Sequence, residues 1–277
     1  MNTLLYVTDL HGQRWKYDLT FSLAREIGAD LVINGGDISP SGRRHEDQGR
    51  FYREFLDPYF GRFQAEGIRY FLVSGNDDLG ILDPLLDRIC ANHPLVSHLS
   101  RRMDSVEGYS FVGMNLVTDY PFRLKDRARR DAEGYVFGPQ LGPGLLSTPD
   151  GFREIPDWPA YAATLPTIDE ELAALPAPPD PGRAVYILHG PPSGLGLDVV
   201  RGGAAVGSPA TRAFLERSQP LLSLHGHIHE SPDESGTWHA KIGRTVCLQP
   251  GQSPSGLTVV VCRLDPLTFE RKVLPCE

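Results

Sequence analysis

Five short apolar runs along this chain each end directly in acidic, amide or imidazole side chains. The runs have the length of β-strands, and helical stretches separate most of them, an alternation typical of α/β folds with parallel strands. The runs and the polar segments that follow them are residues 4–8 and 9–12, 31–34 and 35–37, 71–74 and 75–78, 185–188 and 189–192, and 221–224 and 225–229. Because loops at the carboxyl ends of such strands share one crevice, the pattern predicts that these distant side chains converge.

The apolar periodicity predicts one domain that spans residues 1–277. We expect helices over residues 15–27, 48–66 and 208–218, and strands also near residues 245–248, 257–264 and 269–274. The Asp265-Pro266-Leu267-Thr268 turn favours an antiparallel hairpin between the last two strands. A chain of 277 residues can bury a core without disulfides.

A proline-rich insertion at about residues 119–182 interrupts this pattern. Ten of the 24 prolines lie between Pro139 and Pro181, and proline at that density opposes continuous helix or sheet. One interpretation is a surface linker that contains a short helix near residues 168–175. The other is a lid over the site, because six aromatic residues lie in or near the insertion. These are Tyr120, Phe122, Tyr135, Phe137, Trp158 and Tyr161.

Composition and charge indicate which kinds of partner and which cellular compartment to expect. The 27 basic and 35 acidic residues give a net charge of −8, which disfavours binding along a phosphate backbone. The apolar runs are far shorter than the roughly 20 residues that a bilayer requires, and residues 1–7 are typical of a first strand rather than a signal peptide. The four cysteines form no C-x-x-C pair. We therefore expect a cytoplasmic protein with reduced thiols and no membrane partner.

The polar segments together resemble the signature of the calcineurin-like metallophosphoesterase superfamily: D-x-H, G-D, G-N-H-D/E, H and G-H-x-H, in that order. The matching segments are Asp9-Leu10-His11, Gly36-Asp37, Gly75-Asn76-Asp77-Asp78, His189 and Gly226-His227-Ile228-His229. A Gln249-Pro250-Gly251 turn also fits, and residues 207–231 resemble a branch of small phosphoesterases of bacterial and archaeal type. Each fragment alone occurs by chance, whereas all five in this order are specific.

The resemblance implies a four-layer αββα sandwich of two mixed β-sheets flanked by helices. It implies that Asp9, His11 and His229 bind one divalent metal ion. Asn76, His189 and His227 would bind a second, and Asp37 would bridge both. Carboxylate, imidazole and amide ligands suit Mn, Fe, Zn, Ni or Co. The implied activity is that of a hydrolase that cleaves a small phosphomonoester or phosphodiester through a metal-bridging hydroxide.

The chain departs from the family pattern at Asp77, where the signature has a histidine that is usually the general acid. Asp78 matches the carboxylate that orients this imidazole, and here it has none to orient. Our hypothesis is that Asp77 positions water or a substrate hydroxyl while solvent protonates the leaving group. The alternative is that Asp77 only caps the following helix.

Other polar residues near the motifs have weaker patterns. Arg43 and His45 follow Asp37 and are candidates to bind the substrate, with His45 also a candidate to replace the absent acid, although a solvated loop is the simpler interpretation. His225 matches no ligand position and is expected to hold a neighbouring histidine or carbonyl. The basic run of residues 123–130 is interrupted by Asp126 and is expected to be a solvated face. The glycine-rich residues 201–208 lack the ending of a P-loop and are expected to be a loop with an N-cap at Ser208.

Three alternative functions remain at this point. One is a nuclease that acts on DNA or RNA ends, against which the charge argues. Another is a non-catalytic scaffold with the same fold, although every ligand position is filled. The third is a redox metalloprotein built on Asp9, His11 and His229, which would leave the other ligands unexplained. The sequence indicates neither the natural substrate nor an oligomeric state.

Overall fold

Two six-stranded β-sheets form the centre of the computed structural model, which describes residues 3–42 and 45–276. The strands, in chain order, are β1 (Thr3–Val7), β2 (Leu31–Asn34), β3 (Arg69–Leu72), β4 (Val96–His98), β5 (Met103–Val106), β6 (Tyr109–Met114), β7 (Val117–Thr118), β8 (Ala128–Arg129), β9 (Gly144–Thr148), β10 (Gly151–Ile155), β11 (Ala184–Leu188), β12 (Leu222–Leu224), β13 (His239–Ile242), β14 (Thr245–Leu248), β15 (Gly256–Leu264) and β16 (Leu267–Pro275).

Helices cover both sheets. They are α1 (Arg14–Glu26), α2 (His45–Phe51), α3 (Asp57–Ala65), α4 (Asp83–Ala91), α5 (Trp158–Ala162), α6 (Ile168–Ala173), α7 (Pro209–Ser218) and α8 (Ser231–Ser235). A π-helical turn, Tyr52–Leu56, joins α2 to α3, so the helix predicted over residues 48–66 is continuous but not uniformly α-helical. No helix in the described part of the chain has the length and apolar character needed to cross a bilayer.

The first sheet has the order β16-β15-β1-β2-β3-β4 and the second the order β13-β14-β12-β11-β6-β5. Strands β1 to β4 are parallel, and β15 and β16 add an antiparallel edge. In the second sheet β6, β11, β12 and β14 are parallel, while β5 and β13 are antiparallel edges. The βαβ rhythm and the final hairpin are therefore as predicted.

Side-chain alternation places the strands of the first sheet between two apolar layers. Leu5 and Val7 of β1 face a core formed with helices α1, α3 and α4. Leu4 and Tyr6 of the same strand face a core shared with the second sheet. The outer face of the second sheet packs against α6 and α7, where Leu215 is buried. The layers are thus helix, sheet, sheet and helix, which confirms the predicted fold class.

The proline-rich insertion has more regular structure than its composition predicts. Strands β9 and β10 pair as an antiparallel hairpin, and Trp158 at the start of α5 is buried in a small apolar cluster that belongs to the insertion. A capping box at Thr167 and Glu170 starts α6, near the predicted short helix. Ile168 and Leu172 of α6 pack into the core of the second sheet. These elements form because the prolines near them lie outside them or, like Pro159 in α5, in the first turn of a helix, where no hydrogen bond is lost.

Candidate metal centre

The five polar segments lie at the carboxyl ends of parallel strands in both sheets. Those after β1, β2 and β3 come from neighbouring strands of the first sheet, and those after β11 and β12 come from neighbouring strands of the second. Asp9, Asp37 and His189 are buried where the two edges meet. The predicted convergence of these segments is therefore observed.

The backbone at this edge is strained at residues with functional side chains. Asp9, His11, Asp37 and His227 have positive φ angles of 55°, 44°, 50° and 71°, a region that non-glycine residues rarely occupy. Such conformations cost of order 1–3 kcal/mol each and persist where the surrounding structure holds them. Their concentration at one edge indicates a functional site.

Two glycines allow the loops to approach each other. Gly36 has a φ of 118°, and a Cβ atom there would lie 2.5 Å from Nδ1 of His189. A Cβ atom at Gly75 would overlap the backbone nitrogen and carboxylate of Asp37. A larger residue at Gly36 would push loops of the two sheets apart, and one at Gly75 would separate two neighbouring loops of the first sheet.

The first group of donors surrounds Asp9. The Nε2 atom of His229 lies 3.4 Å from Oδ1 of Asp9, and the Nε2 atoms of His11 and His229 are 3.0 Å apart. The Nε2 atom of His11 lies 3.8 Å from Oδ2 of Asp37. One donor atom from each of these four residues lies within 4.8 Å of every other.

The second group of donors surrounds Asn76. Its Oδ1 atom lies 3.0 Å from Nε2 of His189 and 2.5 Å from Nδ1 of His227. The Nε2 atom of His189 is also 3.5 Å from Oδ2 of Asp37. The same Asp37 oxygen therefore faces both groups, which is the arrangement that a bridging ligand requires.

The protonation of His189 suits metal binding. Its Nδ1 atom lies 2.8 Å from the carbonyl oxygen of Gly35. Because a carbonyl only accepts, Nδ1 must carry a proton, and a neutral His189 then presents a lone pair on Nε2 toward Asn76 and Asp37. His11 has a comparable partner, since its Nδ1 atom lies 2.6 Å from Oγ of Ser41.

The charges of the group also fit divalent cations. Burial opposes the ionised form of Asp37, but the neighbouring His189 and His11 hold its pKa below the usual value. Burial likewise opposes charge on His189 and His229, yet Asp37 and Asp9 respectively raise the pKa of each to about 9. The carboxylates thus attract positive charge, which protons supply here and metal ions can supply in their place.

An unpaired oxygen of Asp9 also indicates a metal site. The Oδ2 atom of Asp9 is buried and has no hydrogen-bond partner among the described residues. A buried carboxylate oxygen without a partner is costly, and coordination of a cation would satisfy it. Together with the mixed nitrogen and oxygen donors, this observation indicates that the residues fit metal ions.

Asp77 lies at the rim of the first group. Its Oδ2 atom is 3.6 Å from Nδ1 of His11, and its Oδ1 atom accepts a hydrogen bond of 3.2 Å from Asn76. The short helix that follows, Gly80–Leu82, has Leu79 as its N-cap and no side-chain cap. The alternative role of Asp77 as a helix cap is therefore wrong, and its side chain is available to the site.

Asp78 faces away from the donors. Its carboxylate is fully buried and accepts hydrogen bonds from the backbone nitrogens of Ile38, Ser39 and Gly75, and from the Ser39 hydroxyl. These contacts join the loop after β3 to the loop that carries Asp37. The contacts observed for Asp78 are thus those of a residue that positions a loop.

Two further residues support the histidine loop. His225 places its Nδ1 atom 3.0 and 3.2 Å from the carbonyl oxygens of Leu188 and Gly190, which flank His189, as expected for a supporting histidine. Burial lowers the pKa of His225 to about 4, so it donates as a neutral imidazole. Gln249 donates to the carbonyl oxygens of Gly226 and Ile228 on either side of His227.

The substrate candidates are only partly described. Arg43 and the side chain of His45 lie outside the described residues. Two residues at the site were not predicted as site residues: Ser41, which contacts His11, and Tyr120, whose ring centroid lies 5.9 Å from that of His227. Neither residue belongs to a motif, although Tyr120 is one of the aromatic residues of the insertion.

The expectations for the glycine-rich residues 201–208 and for the basic run 123–130 have different outcomes. Residues 201–208 form a loop that leads to an N-cap at Ser208, as predicted, and the Arg201 and Gly202 nitrogens donate to the carboxylates of Glu230 and Glu234 rather than facing open space. The expectation of a solvated face at residues 123–130 is wrong for Lys125 and Arg127. Both are buried, because packing brings them the carboxylates of Asp119 and Asp83.

Comparisons with known proteins identify one family by sequence and related folds by structure. The family model described as calcineurin-like phosphoesterase matches residues 3–231. A solved structure from Thermus thermophilus superposes with a TM-score of 0.57 at 17% identity and covers 98% of both chains. A dimetal phosphatase from Danio rerio superposes with a TM-score of 0.53 at 13% identity, covering 100% of this chain and 99% of that one. No curated protein sequence matches this chain.

Proposed function

This chain belongs to the calcineurin-like phosphoesterase family, and on that basis we propose that it hydrolyses a small phosphomonoester or phosphodiester at a dinuclear metal centre. The observation that carries the proposal is the position of Asp37. One carboxylate oxygen of this residue lies within 3.8 Å of an imidazole nitrogen from each of the two donor groups. Two imidazole-containing groups that share a carboxylate are what a two-metal hydrolase needs.

We propose that Asp9, His11 and His229 hold one ion and that Asn76, His189 and His227 hold the other. When bound, two such ions would polarise phosphoryl oxygens and lower the pKa of a water molecule. Mn, Fe, Zn, Ni or Co would suit the mixed donors. The residues themselves orient the ligands, since backbone carbonyls and hydroxyls hold the imidazoles of His189 and His11.

We propose different roles for the two aspartates after Asn76. Asp77 is partly exposed at the rim, where it would position water or a substrate hydroxyl. In this proposal solvent, rather than Asp77, protonates the leaving group. Asp78 would act only through the loop that it holds. Arg43 and His45 remain candidates for substrate contacts, since Ser41, close to them along the chain, contacts His11.

A small substrate is favoured over a nucleic acid. The net charge is −8, and three basic residues of the run at 123–130, namely Arg123, Lys125 and Arg127, are engaged by carboxylates. This segment therefore gives little support for a track of free cations that would bind a phosphate backbone. The cytoplasmic location stays a prediction from the sequence.

The test is a substrate screen on purified protein loaded with Mn²⁺. Hydrolysis of at least one member of a panel of phosphomonoesters, cyclic nucleotides, dinucleotides and phosphodiester lipids is expected, with release of phosphate or of a phosphomonoester. The matched control is Asp37→Asn, which should be inactive on the same panel. Wild-type protein that holds metal but cleaves nothing would support the non-catalytic scaffold instead.

A further inference from the structure

A cavity of about 440 Å³ lies between the proline-rich insertion and the loop after β3. None of the proposed metal ligands lines it. Its wall includes two arginines, an aromatic ring and three aliphatic side chains: Arg129, Arg153, Tyr161, Ile81, Leu146 and Leu165. Its volume lies in the range of roughly 300–1,000 Å³ that is usual for small-molecule sites.

Arg129 lines this cavity, and some of its hydrogen-bond donors have no partner in the described part of the chain. Its Nη1 atom donates only to the backbone carbonyl oxygens of Ala128, at 2.8 Å, and Asp126, at 3.4 Å. Its Nε atom is buried and has no hydrogen-bond partner in the described part of the chain. Its Nη2 atom also makes no hydrogen bond among the described residues and, unlike Nε, is not fully buried, so Arg129 has donor capacity for an anion at the cavity.

Arg153, on strand β10 of the hairpin, provides a second cation at this cavity. Its guanidinium lies 5.7 Å from the ring centroid of Tyr161, and its Nη2 atom lies 3.4 Å from the Tyr161 hydroxyl. Among residues 3–42 and 45–276, no carboxylate forms an ion pair with Arg153 or Arg129. Arg153 is exposed, so its guanidinium is accessible to a ligand.

Two carboxylates act near these arginines. Glu171 is not part of the cavity wall and acts on the charge of Arg129, but it is itself paired with Arg101. Asp126 is the acidic residue that lines the described cavity wall, and its oxygens accept hydrogen bonds from the backbone nitrogens of Gly80 and Ser147 and from the Ser147 hydroxyl. With two arginines and one aspartate, the wall has a charge of +1 in a chain of net charge −8. A local excess of positive charge in an acidic protein favours an anionic ligand.

We propose that this cavity is a binding site for a small organic oxyanion with an aromatic body. The two guanidinium groups would bind the oxyanion, because arginine is suited to planar and bidentate recognition of phosphate or carboxylate. The ring of Tyr161 and the aliphatic side chains of Leu146 and Leu165 would bind the aromatic body. The site is separate from the metal centre and does not depend on the proposed hydrolysis.

The wall of this cavity includes part of the loop that carries a proposed metal ligand. Gly80 and Ile81 form part of its wall, and their backbone nitrogens donate to Asp126 and to the Ser147 hydroxyl. The same loop carries Asn76 only a few residues earlier. A ligand in this cavity would therefore contact both the insertion and the loop that carries Asn76.

Isothermal titration of the metal-loaded protein with phenylphosphonate tests the proposal. This probe has a C–P bond in place of an ester, so hydrolysis does not remove it. We expect a binding component that persists in Asp37→Asn, where the metal centre is disrupted. Its dissociation constant should rise about tenfold or more in Arg153→Met, and again in Arg129→Gln, because each loses a charged hydrogen-bond donor. Methylphosphonate, which lacks the ring, should bind this component more weakly.

Arg183→Met is the matched control, since Arg183 is also exposed and stacks on a tyrosine, with its guanidinium 4.2 Å from the ring centroid of Tyr109. This variant should bind as the wild type does. Arg153→Met lies at the surface and should keep the thermal unfolding temperature and the activity on a small aryl phosphate. The proposal is overturned if all binding is lost in Asp37→Asn, or if Arg153→Met and Arg183→Met bind phenylphosphonate equally.

Discussion

Asp37 is the single residue that belongs to both donor groups. Its Oδ2 atom faces His11 and His189, while its Oδ1 atom accepts a hydrogen bond of 2.8 Å from the backbone nitrogen of Asp77. It is 2% exposed, so its charge acts in a medium that screens weakly. Removal of that charge therefore affects both groups together.

We expect Asp37→Asn to reduce metal content from near two ions per chain to near zero. The amide keeps the shape of the side chain but lacks the negative charge that would hold two cations together. Elemental analysis of dialysed protein measures the stoichiometry. Asp198→Asn is a matched control, because Asp198 is equally buried but accepts its hydrogen bond from Gly207, outside the donor groups. Unchanged stoichiometry in Asp37→Asn would show that Asp37 does not bridge.

Asp77 is the residue at which the chain departs from its family. We expect Asp77→His to increase hydrolysis of an alkyl phosphate, a poor leaving group, by about tenfold or more relative to an aryl phosphate. A positioned imidazole can donate a proton to the leaving oxygen, which contributes roughly 10²–10⁴-fold where the geometry is favourable. Steady-state rates on both substrates provide the measurement, with Asp77→Asn as the control. An unchanged ratio of the two rates would contradict the role assigned to this position.

At the scale of elements, the carboxyl end of β4 is tied to helix α4 by an ion network. Asp87 of α4 lies 2.7 Å from Nδ1 of His98 and makes a bidentate pair with Arg102, at 2.8 Å for both contacts. The Nε2 atom of His98 faces the hydroxyls of Ser74 and Ser100. Ser74 ends the segment that leads to Asn76, so the network supports the strand end next to the metal centre.

The Asp87 network should stabilise the fold in a pH-dependent way. The hydrogen bond with His98, together with Arg102, lowers the pKa of Asp87 below its usual value. A lowered folded-state pKa contributes stability that is present above the unfolded value of about 3.9 and is lost as the pH falls below it. We therefore expect Asp87→Asn to be less stable than the wild type at pH 7, with the difference shrinking below about pH 4. Denaturant unfolding at both pH values measures the difference, and a constant difference would contradict the assignment.

The insertion places aromatic side chains beside the metal centre. The ring of Tyr120 lies 5.9 Å from that of His227 and 6.2 Å from that of Phe122, which is 62% exposed. An exposed apolar ring near a polar site can bind the organic part of a substrate. The role of the insertion as a lid remains a prediction, and Phe122 provides a direct test of it.

We expect Phe122→Ala to keep the metal content and to stay within about tenfold of wild-type activity on a small aryl phosphate, a barrier change of about 1.4 kcal/mol. Activity on the best larger substrate should fall further, because contacts away from phosphorus help to position it. Val273→Ala serves as the control, since Val273 is 51% exposed but lies on the edge strand β16. Equal losses on both substrates would argue for general support of the site rather than selection.

At the scale of the whole molecule, the metal centre depends on the packing of one sheet on the other. Donors come from both sheets, so their distances depend on the layer between them. Phe71 of β3 and Phe111 of β6 meet in this layer, with ring centroids 5.3 Å apart at 71°. Both side chains are almost fully buried, and edge-to-face contact between them adds to the hydrophobic burial.

We expect Phe111→Ala to lower the free energy of unfolding by about 3–5 kcal/mol, the usual range for a buried Phe→Ala change. Metal affinity should fall as well, because a cavity between the sheets lets the two groups of donors move apart. Phe111→Leu, which keeps most of the volume, should cost much less in both measurements. Chemical unfolding and metal titration provide the two values. Loss of stability with unchanged metal affinity would show that the donors are positioned independently of this layer.

Local pattern in the amino-acid sequence was sufficient to predict the α/β alternation and the place of the proposed donors in it. Apolar runs such as residues 185–188 predict strands without reference to the rest of the chain, and parallel strands bring their carboxyl ends to the same edge. The order of the donor segments was therefore enough to predict that Asp9 and His229 approach each other although they are far apart along the chain. The resemblance to the family added the division into two groups of donors.

Tertiary packing, by contrast, determines which charged residues are buried and which remain available. Lys125 and Arg127 were predicted to belong to a solvated basic run, yet packing provides Asp119 and Asp83 as partners and removes both from water. Arg129, in the same run, receives no such partner among the described residues and lines a cavity instead. The physical reason is that burial of a charge depends on a counter-charge brought from elsewhere in the chain, and local sequence does not encode which distant side chain arrives.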